Sequence, residues 1–361
     1  MRKVLLVSKR TEGAYVGGVI SILNHYMANR ELFAEKGYEI EQYSYEAPPI
    51  VSKLPSKFQN IVYGILQAKA LSKKLYECPD AIVHIHTSRE FLFLKDIYVA
   101  KKIYKKNKAK IAMTIHVGTY DTVFNRIGFA EKWCLKVLNE CVKEVVFLSD
   151  VMRQEFEAHG MNSELSRLLY NFHSLGQIPE ENVKKEGMQL LFVGAIHREK
   201  GILELLRALC KIDDPNIRLN ICGKLTDSSI KAEFDSLVQS LEGRVKVYGY
   251  VSGDEKTRIF READVLVLPS YHEGFPLVIL EGMASSCALI STPVGSTTEV
   301  LNENNVIWVG IKNVDDIKNA IEKLYADNAL LDRMKTENYM LSKEYTIEKN
   351  IENSCLMYDE L

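Results

Sequence analysis

No apolar run in this chain exceeds a handful of residues; VLVLPS and ALIST are typical, and a bilayer-crossing helix needs about 20. The N-terminal MRKVLLVSKRTEG holds an apolar run too short for a signal peptide, with no small-residue cleavage site after it. A cytoplasmic protein that opens on a strand is therefore expected. The seven cysteines (78, 134, 141, 210, 222, 287 and 355) are odd in number and no two stand as C-x-x-C. Most lie in apolar stretches such as LNICGK and ASSCALI, so buried thiols are expected rather than disulfides or a zinc site. An excess of one charge is also missing: 46 Lys+Arg face 48 Asp+Glu, a net charge of -2. With no stacking-aromatic motif beside its basic residues, the chain does not read as a nucleic-acid binder. Neither a solenoid-type repeat nor a G-x-G-x-x-G dinucleotide fingerprint occurs.

What is present is a chain of 361 residues, 47% apolar and 26% charged, an ordinary globular balance. That length exceeds what one core usually supports, and two domains of roughly 150 to 200 residues are expected. The near-neutral total hides an asymmetry: residues 1–175 carry +7 and the remainder -9. The densest basic run is KKIYKKNKAK, Lys101 to Lys110, at the end of an expected helix. It reads either as a solvated turn complementing the helix dipole or as a contact for anionic lipid headgroups or an acidic acceptor.

Short β-branched runs alternate with amphipathic stretches along the whole chain. In the first half, strands are expected at KVLLVS, YEIEQYSY, AIVHIHT, KIAMTIHVG, EVVFLS and RLLYN, with helices at 18–35, 59–76, 90–107, 123–141 and 150–159. The polar stretch 176–187 reads as a linker. The pattern restarts with strands at QLLFVGAI, RLNICG, VKVYGYV, DVLVLPS, ALISTPV and NVIWVG, and helices at 201–211, 228–241, 254–263 and 276–285. Fully apolar strands between helices call for parallel sheets covered on both faces. Two such arrays in tandem predict an α/β protein of two Rossmann-like domains, 1–175 and 188–342, facing a central cleft. The chain reads as helical from about Val314 onward.

Ligands of such sheets bind beyond the carboxyl ends of the strands, so the segment PSYHEGFPLVILEGMA carries most information. A buried strand ends near Ser270, and Pro276 stands where a helix opens. The amides of Gly274, Phe275 and Leu277 then lie at a positive helix end suited to phosphate oxygens. Glu273 precedes the helix, where a carboxylate can accept from sugar hydroxyls. Glu281 interrupts the apolar run PLVILEGMA, so its burial needs a partner, and ribose hydroxyls fit that need. A capping role for Glu273 and a surface position for Glu281 are the plainer alternatives.

Two glutamates with seven residues between them in this context resemble the signature of the family 4 retaining glycosyltransferases (glycosyl transferases group 1), enzymes of GT-B fold. The resemblance implies that Glu273 contacts the donor sugar, that Glu281 binds the ribose, and that amides between them hold the diphosphate. FVGAIHREKGILELL resembles the family's Gly-Arg-Leu, spacer, Lys-Gly element, which makes Lys200 the cation neutralising the leaving diphosphate. Ala195 stands where the family has Arg, and Arg198 or His197 is the nearest substitute. Gly17 and Gly18, after the first strand, resemble the glycine loop over the donor phosphates. His116, ending KIAMTIHVG, resembles the His beside the reacting centre. His84 and His86 lie on one strand face, His84 as a structural residue and His86 toward the cleft. Tyr250 follows the strand whose loop holds the nucleobase. Asn171 reads as a structural turn and Glu299 as a helix-start residue.

By resemblance the chain is a hexosyltransferase-type enzyme (class 2.4) that moves a sugar from a nucleoside diphosphate, UDP by default, to a saccharide or lipid-linked acceptor. It would do so with retention, by same-face displacement in which the leaving phosphate helps deprotonate the acceptor. No metal and no cofactor are expected, the nucleotide sugar being a co-substrate. Surface polysaccharide synthesis at the inner face of a membrane, with the basic domain toward the lipid, is the expected setting. The C-terminal segment, 343–361, is expected to cross back as a helix onto the first domain. A sugar-nucleotide epimerase of the same fold and a non-catalytic sugar-binding protein are the alternatives.

Overall fold

The computed structural model describes residues 1–8, 18–45, 48–173 and 187–361. They form two compact units, Met1–Asn171 with Ile347–Leu361, and Phe172–Thr346. The expected linker lies outside the described residues, apart from Gly187.

The first unit holds six strands, β1 (Arg2–Val7), β2 (Tyr38–Tyr43), β3 (Ile82–Thr87), β4 (Lys110–Ile115), β5 (Glu144–Phe147) and β6 (Ser166–Leu168). All pairings are parallel, in the order β2-β1-β3-β4-β5-β6. The direction of winding therefore reverses between β1 and β3. Alternation along the strands supplies one core layer: Val83 and Ile85 of β3 join Ile111, Met113 and Ile115 of β4 beneath the helix Glu90–Asn107. β6 is shorter than RLLYN suggested. Leu169, one residue past β6, donates to the carbonyl of Phe147, the last residue of β5.

The second unit holds β7 (Met188–Val193), β8 (Ile217–Cys222), β9 (Val245–Gly249), β10 (Val265–Leu268), β11 (Ala288–Ser291) and β12 (Val306–Trp308), again all parallel. Their order is β12-β11-β10-β7-β8-β9, the doubly wound order of dinucleotide-binding sheets, with the reversal between β7 and β10. Both faces are covered. Leu190, Phe192, Val265 and Val267 point into one core, while Leu191, Leu266 and Leu268 point into the other, against the helices Gly253–Glu262 and Leu277–Ala284.

Several helices are broken where the periodicity read through. The stretch 18–35 is two helices, Gly18–Ala28 and Arg30–Glu35, parted at Asn29, whose side-chain amide bonds the His25 carbonyl. The stretch 123–141 is likewise two, Tyr120–Phe124 and Glu131–Cys141, with a tight turn from Gly128 to Ala130.

The chain returns to the first unit through its last helix, Ile347–Asp359. Tyr38 donates to Asp359 at 2.5 Å and Tyr26 to Asn350 at 2.5 Å, while Arg2 reaches the Tyr358 carbonyl at 2.9 Å. The return begins at 347 rather than 343, because the His173 amide bonds the Tyr345 carbonyl and His173 bridges Thr346, tying 172–173 and 343–346 to the second unit. These sheets make the chain an α/β protein with two doubly wound parallel arrays. Among the described residues no helix is long and apolar enough to cross a membrane.

Candidate functional site

In the second unit the chemistry gathers at the reversal point, where the segments leaving β7 and β10 meet. The β7 segment turns through His197–Gly201 into the helix Ile202–Cys210. Gly201 has φ +70°, and a Cβ there would stand 2.1 Å from the Pro269 carbonyl oxygen. Only glycine allows that approach, and the Tyr271 amide completes the junction by donating to the Glu199 carbonyl at 2.8 Å. Lys200 is thereby held beside the β10 segment. Its Nζ donates to Glu273 Oε1 at 2.6 Å, and Ser270 Oγ donates to the same oxygen at 2.6 Å. Glu273 Oε2 has no hydrogen bond among the described residues.

The segment carrying Glu273 is pinned from its other side. The amide and hydroxyl of Ser296 both donate to the Gly274 carbonyl, at 3.0 and 2.8 Å, and Thr292 Oγ1 donates to the Ser270 carbonyl at 2.5 Å. Gly295, at φ +57°, passes so close that a Cβ would lie 2.1 Å from the Glu273 carbonyl oxygen. The helix that follows is Leu277–Ala284, with Pro276 as its N-cap rather than its first helical residue, and no side chain caps it. Its first amides have no intrahelical acceptor. Leu277 is half-buried and Phe275 packs against the apolar core. Beside the open Oε2 of Glu273, the polar groups at this helix start are backbone amides.

Glu281, in the second turn of that helix, is buried, and the structure gives it a partner within the protein. Lys256, from the helix Gly253–Glu262, donates to Glu281 Oε1. Nothing in the sequence pattern pointed to Lys256. His197, the other residue named as a substitute for the charge missing at Ala195, caps this turn, its Nδ1 accepting from the Glu199 amide at 3.2 Å. Arg198 is exposed in the same turn as Lys200, and its guanidinium makes no ion pair among the described residues. Tyr250 is exposed past the end of β9, with Lys224 Nζ 5.4 Å from its ring centroid. Glu299 lies in the short helix Thr297–Val300.

In the first unit, a row of histidines follows the β3 and β4 pairing. His84 is fully engaged: Nδ1 meets Tyr358 Oη at 2.7 Å and Nε2 meets Thr114 Oγ1 at 2.7 Å. His86 Nδ1 lies 2.9 Å from His116 Nε2, the two rings stacked with centroids 5.2 Å apart. His86 Nε2 is buried with no partner among the described residues. Burial pushes His84 down to about 3 and His116 to about 4, and His86 well below the ordinary value, with neighbouring imidazoles adding to it for His84 and His86. All three are neutral at neutral pH, so each ring has one donor and one acceptor nitrogen. Gly17 lies outside the described residues. Gly18 opens the helix Gly18–Ala28, and among the described residues a Cβ on it would meet no atom within 4 Å.

Residues 176–340 match the family described as glycosyl transferases group 1. The chain is 24% identical over 356 residues to an uncharacterized glycosyltransferase of Methanocaldococcus jannaschii, covering 96% of this chain and 95% of that one. It is 26% identical over 313 residues to an uncharacterized 41.2 kDa protein in the cps region of Klebsiella pneumoniae, covering 82% and 77%. Among solved structures, Anabaena HepE in complex with UDP superposes over the whole of both chains with a TM-score of 0.77 at 14% identity.

Proposed function

We propose, from the premise that residues 176–340 form a group 1 glycosyltransferase domain, that this chain transfers a sugar from a nucleoside diphosphate to a hydroxyl of a saccharide or lipid-linked acceptor. The observation that carries the reading is the meeting of Lys200 and Glu273 at the reversal point of the second sheet, at the start of the helix Leu277–Ala284.

Bond cleavage at the anomeric carbon leaves negative charge on the departing diphosphate. In this reading Lys200, already held in place by Glu273, and the amides of Gly274, Phe275 and Leu277 receive that charge. Fixed donors of this kind need no rearrangement when the charge develops. The open Oε2 of Glu273 accepts from donor-sugar hydroxyls, and Glu281 accepts from the ribose. Arg198 adds a second charge and Tyr250 borders the base. Neutral His116, oriented by His86, serves the reacting centre, and Gly17 and Gly18 serve the donor phosphates. Retention by same-face displacement, independence of metal and UDP as donor base belong to the same proposal. The UDP bound by Anabaena HepE supports the last, and the cps-region relative supports a role in polysaccharide synthesis. A peripheral membrane setting rests on the basic run Lys101 to Lys110.

The test is thermal-shift titration of the chain with UDP, GDP, ADP and dTDP, then turnover with sugars of the nucleotide that stabilises. A nucleotide at 100 times its Kd adds about 2.7 kcal/mol. Stabilisation by none of the four overturns the reading.

A further inference from the structure

Glu281 is the one charged residue in the helix LVILEGMA, and its side chain is only 8% exposed. A carboxylate so enclosed needs a partner to offset the loss of water. Lys256 is that partner. It comes from the first turns of the helix Gly253–Glu262, and its stem passes over the ring of Phe260, itself fully buried, with Nζ 5.8 Å from the centroid. Lys256 is thus guided along an apolar surface to a single acceptor, Glu281 Oε1.

The pairing is lopsided in a way that matters. Lys256 engages Oε1 alone. Glu281 Oε2 has no hydrogen bond among the described residues, and it is not among their fully enclosed unpartnered atoms. A carboxylate held by one oxygen, with the other left open, is prepared to accept a hydroxyl donor from outside the protein. We infer that Lys256 is a positioning residue for the donor: it holds Glu281 by Oε1 and aims Oε2 at the vicinal hydroxyls of the ribose. This rests on the ribose reading of Glu281 given above. It assigns to Lys256 the discrimination between ribonucleotides and 2′-deoxyribonucleotides.

The experiment is calorimetric titration of the full chain with whichever of UDP, GDP and ADP binds the wild type most tightly, and with its 2′-deoxy counterpart. The wild type is expected to favour the ribo form by about tenfold, the worth of a hydrogen bond to a charged group. Glu281→Ala brings that ratio to about one. Lys256→Met weakens the ribo form about tenfold and leaves the deoxy form within about twofold, so its ratio also collapses. Lys256→Arg, which keeps charge and donor, preserves most of the preference. A residue that merely stabilised the fold would move both nucleotides together. Should Lys256→Met fail to fold, Lys256→Gln carries the same readout.

A Lys256 variant that keeps the wild-type ratio while Glu281→Ala loses it overturns the inference and leaves the ribose reading standing. Equal ratios in wild type and Glu281→Ala overturn the ribose reading, and the inference with it. Binding of none of the three ribonucleotides overturns the ribose reading, and the inference with it.

Discussion

Lys200 Nζ and Glu273 Oε1 stand 2.6 Å apart across 73 residues of chain. The pair is half-shielded, the lysine side chain 31% exposed and the glutamate 8%. It joins the two segments that leave the sheet on either side of its reversal point. Glu273 thereby fixes the position of Lys200 beside the start of the helix Leu277–Ala284.

Lys200→Met should therefore lower turnover more than donor affinity. Loss of one fixed donor to a developing oxyanion costs about 10²- to 10³-fold in kcat. Lys200→Arg should recover part of it. A kcat within about threefold of wild type for Lys200→Met, against that expectation, would remove the residue from the charge-stabilising role.

Gly201→Ala tests the junction that places Lys200. A non-glycine residue at positive φ costs about 1–3 kcal/mol, and here the new Cβ would also meet the Pro269 carbonyl oxygen at 2.1 Å. The expected result is a destabilised second unit with reduced turnover, read by urea unfolding alongside activity. An unchanged midpoint would show that the two segments part without cost.

The histidine row sets a pH dependence. His84, His86 and His116 are held neutral in the folded first unit, with His84 at about 3 and His116 at about 4. Unfolded, each titrates near 6.5, so below that pH the unfolded chain binds more protons and stability falls. Stability from this source is present above pH 6.5 and is lost progressively down to about pH 4 for His116 and about pH 3 for His84, at up to about 1.4 kcal/mol per pH unit for each histidine. Urea unfolding at pH 7, 6 and 5 should show the slope, and His84→Gln should reduce it by roughly one proton. Identical slopes in the two proteins would be incompatible with a buried neutral His84.

The basic run tests the membrane setting. Lys102, Lys105 and Lys106 are exposed, whereas Lys101 is partly buried with Nζ 5.0 Å from the Trp133 ring. Each exposed lysine is worth about 1 kcal/mol near an anionic surface. Changing the three to Glu should lower sedimentation with phosphatidylserine vesicles by on the order of a hundredfold and spare turnover on a soluble acceptor. Unchanged sedimentation would take the lipid surface out of the reading.

How much of this was legible depended on range along the chain. The β-strands and helix positions came from local periodicity. The misread helices are those broken by a local competitor, such as the Asn29 side chain bonding the His25 carbonyl. Glu281 was visible because a carboxylate in an apolar run announces an unmet need, and Glu273 because it stands between a strand end and a helix start. Lys256 was not, because it sits on a helix, GDEKTRIFRE, whose polar majority reads as solvated. His86 and His116 each appeared as a strand residue, and only the β3–β4 register brings their nitrogens to 2.9 Å.

By itself, then, the sequence determined the alternation of buried strands and amphipathic helices, the two-domain scale, and the residue types at the strand ends. Those follow from backbone sterics and burial over a few residues at a time. The tertiary structure alone decided the order of the strands, hence which two segments flank the reversal point, and which lysine meets which glutamate. An ion pair is a matter of a few ångströms between side chains, and no periodicity along the chain encodes a distance across it.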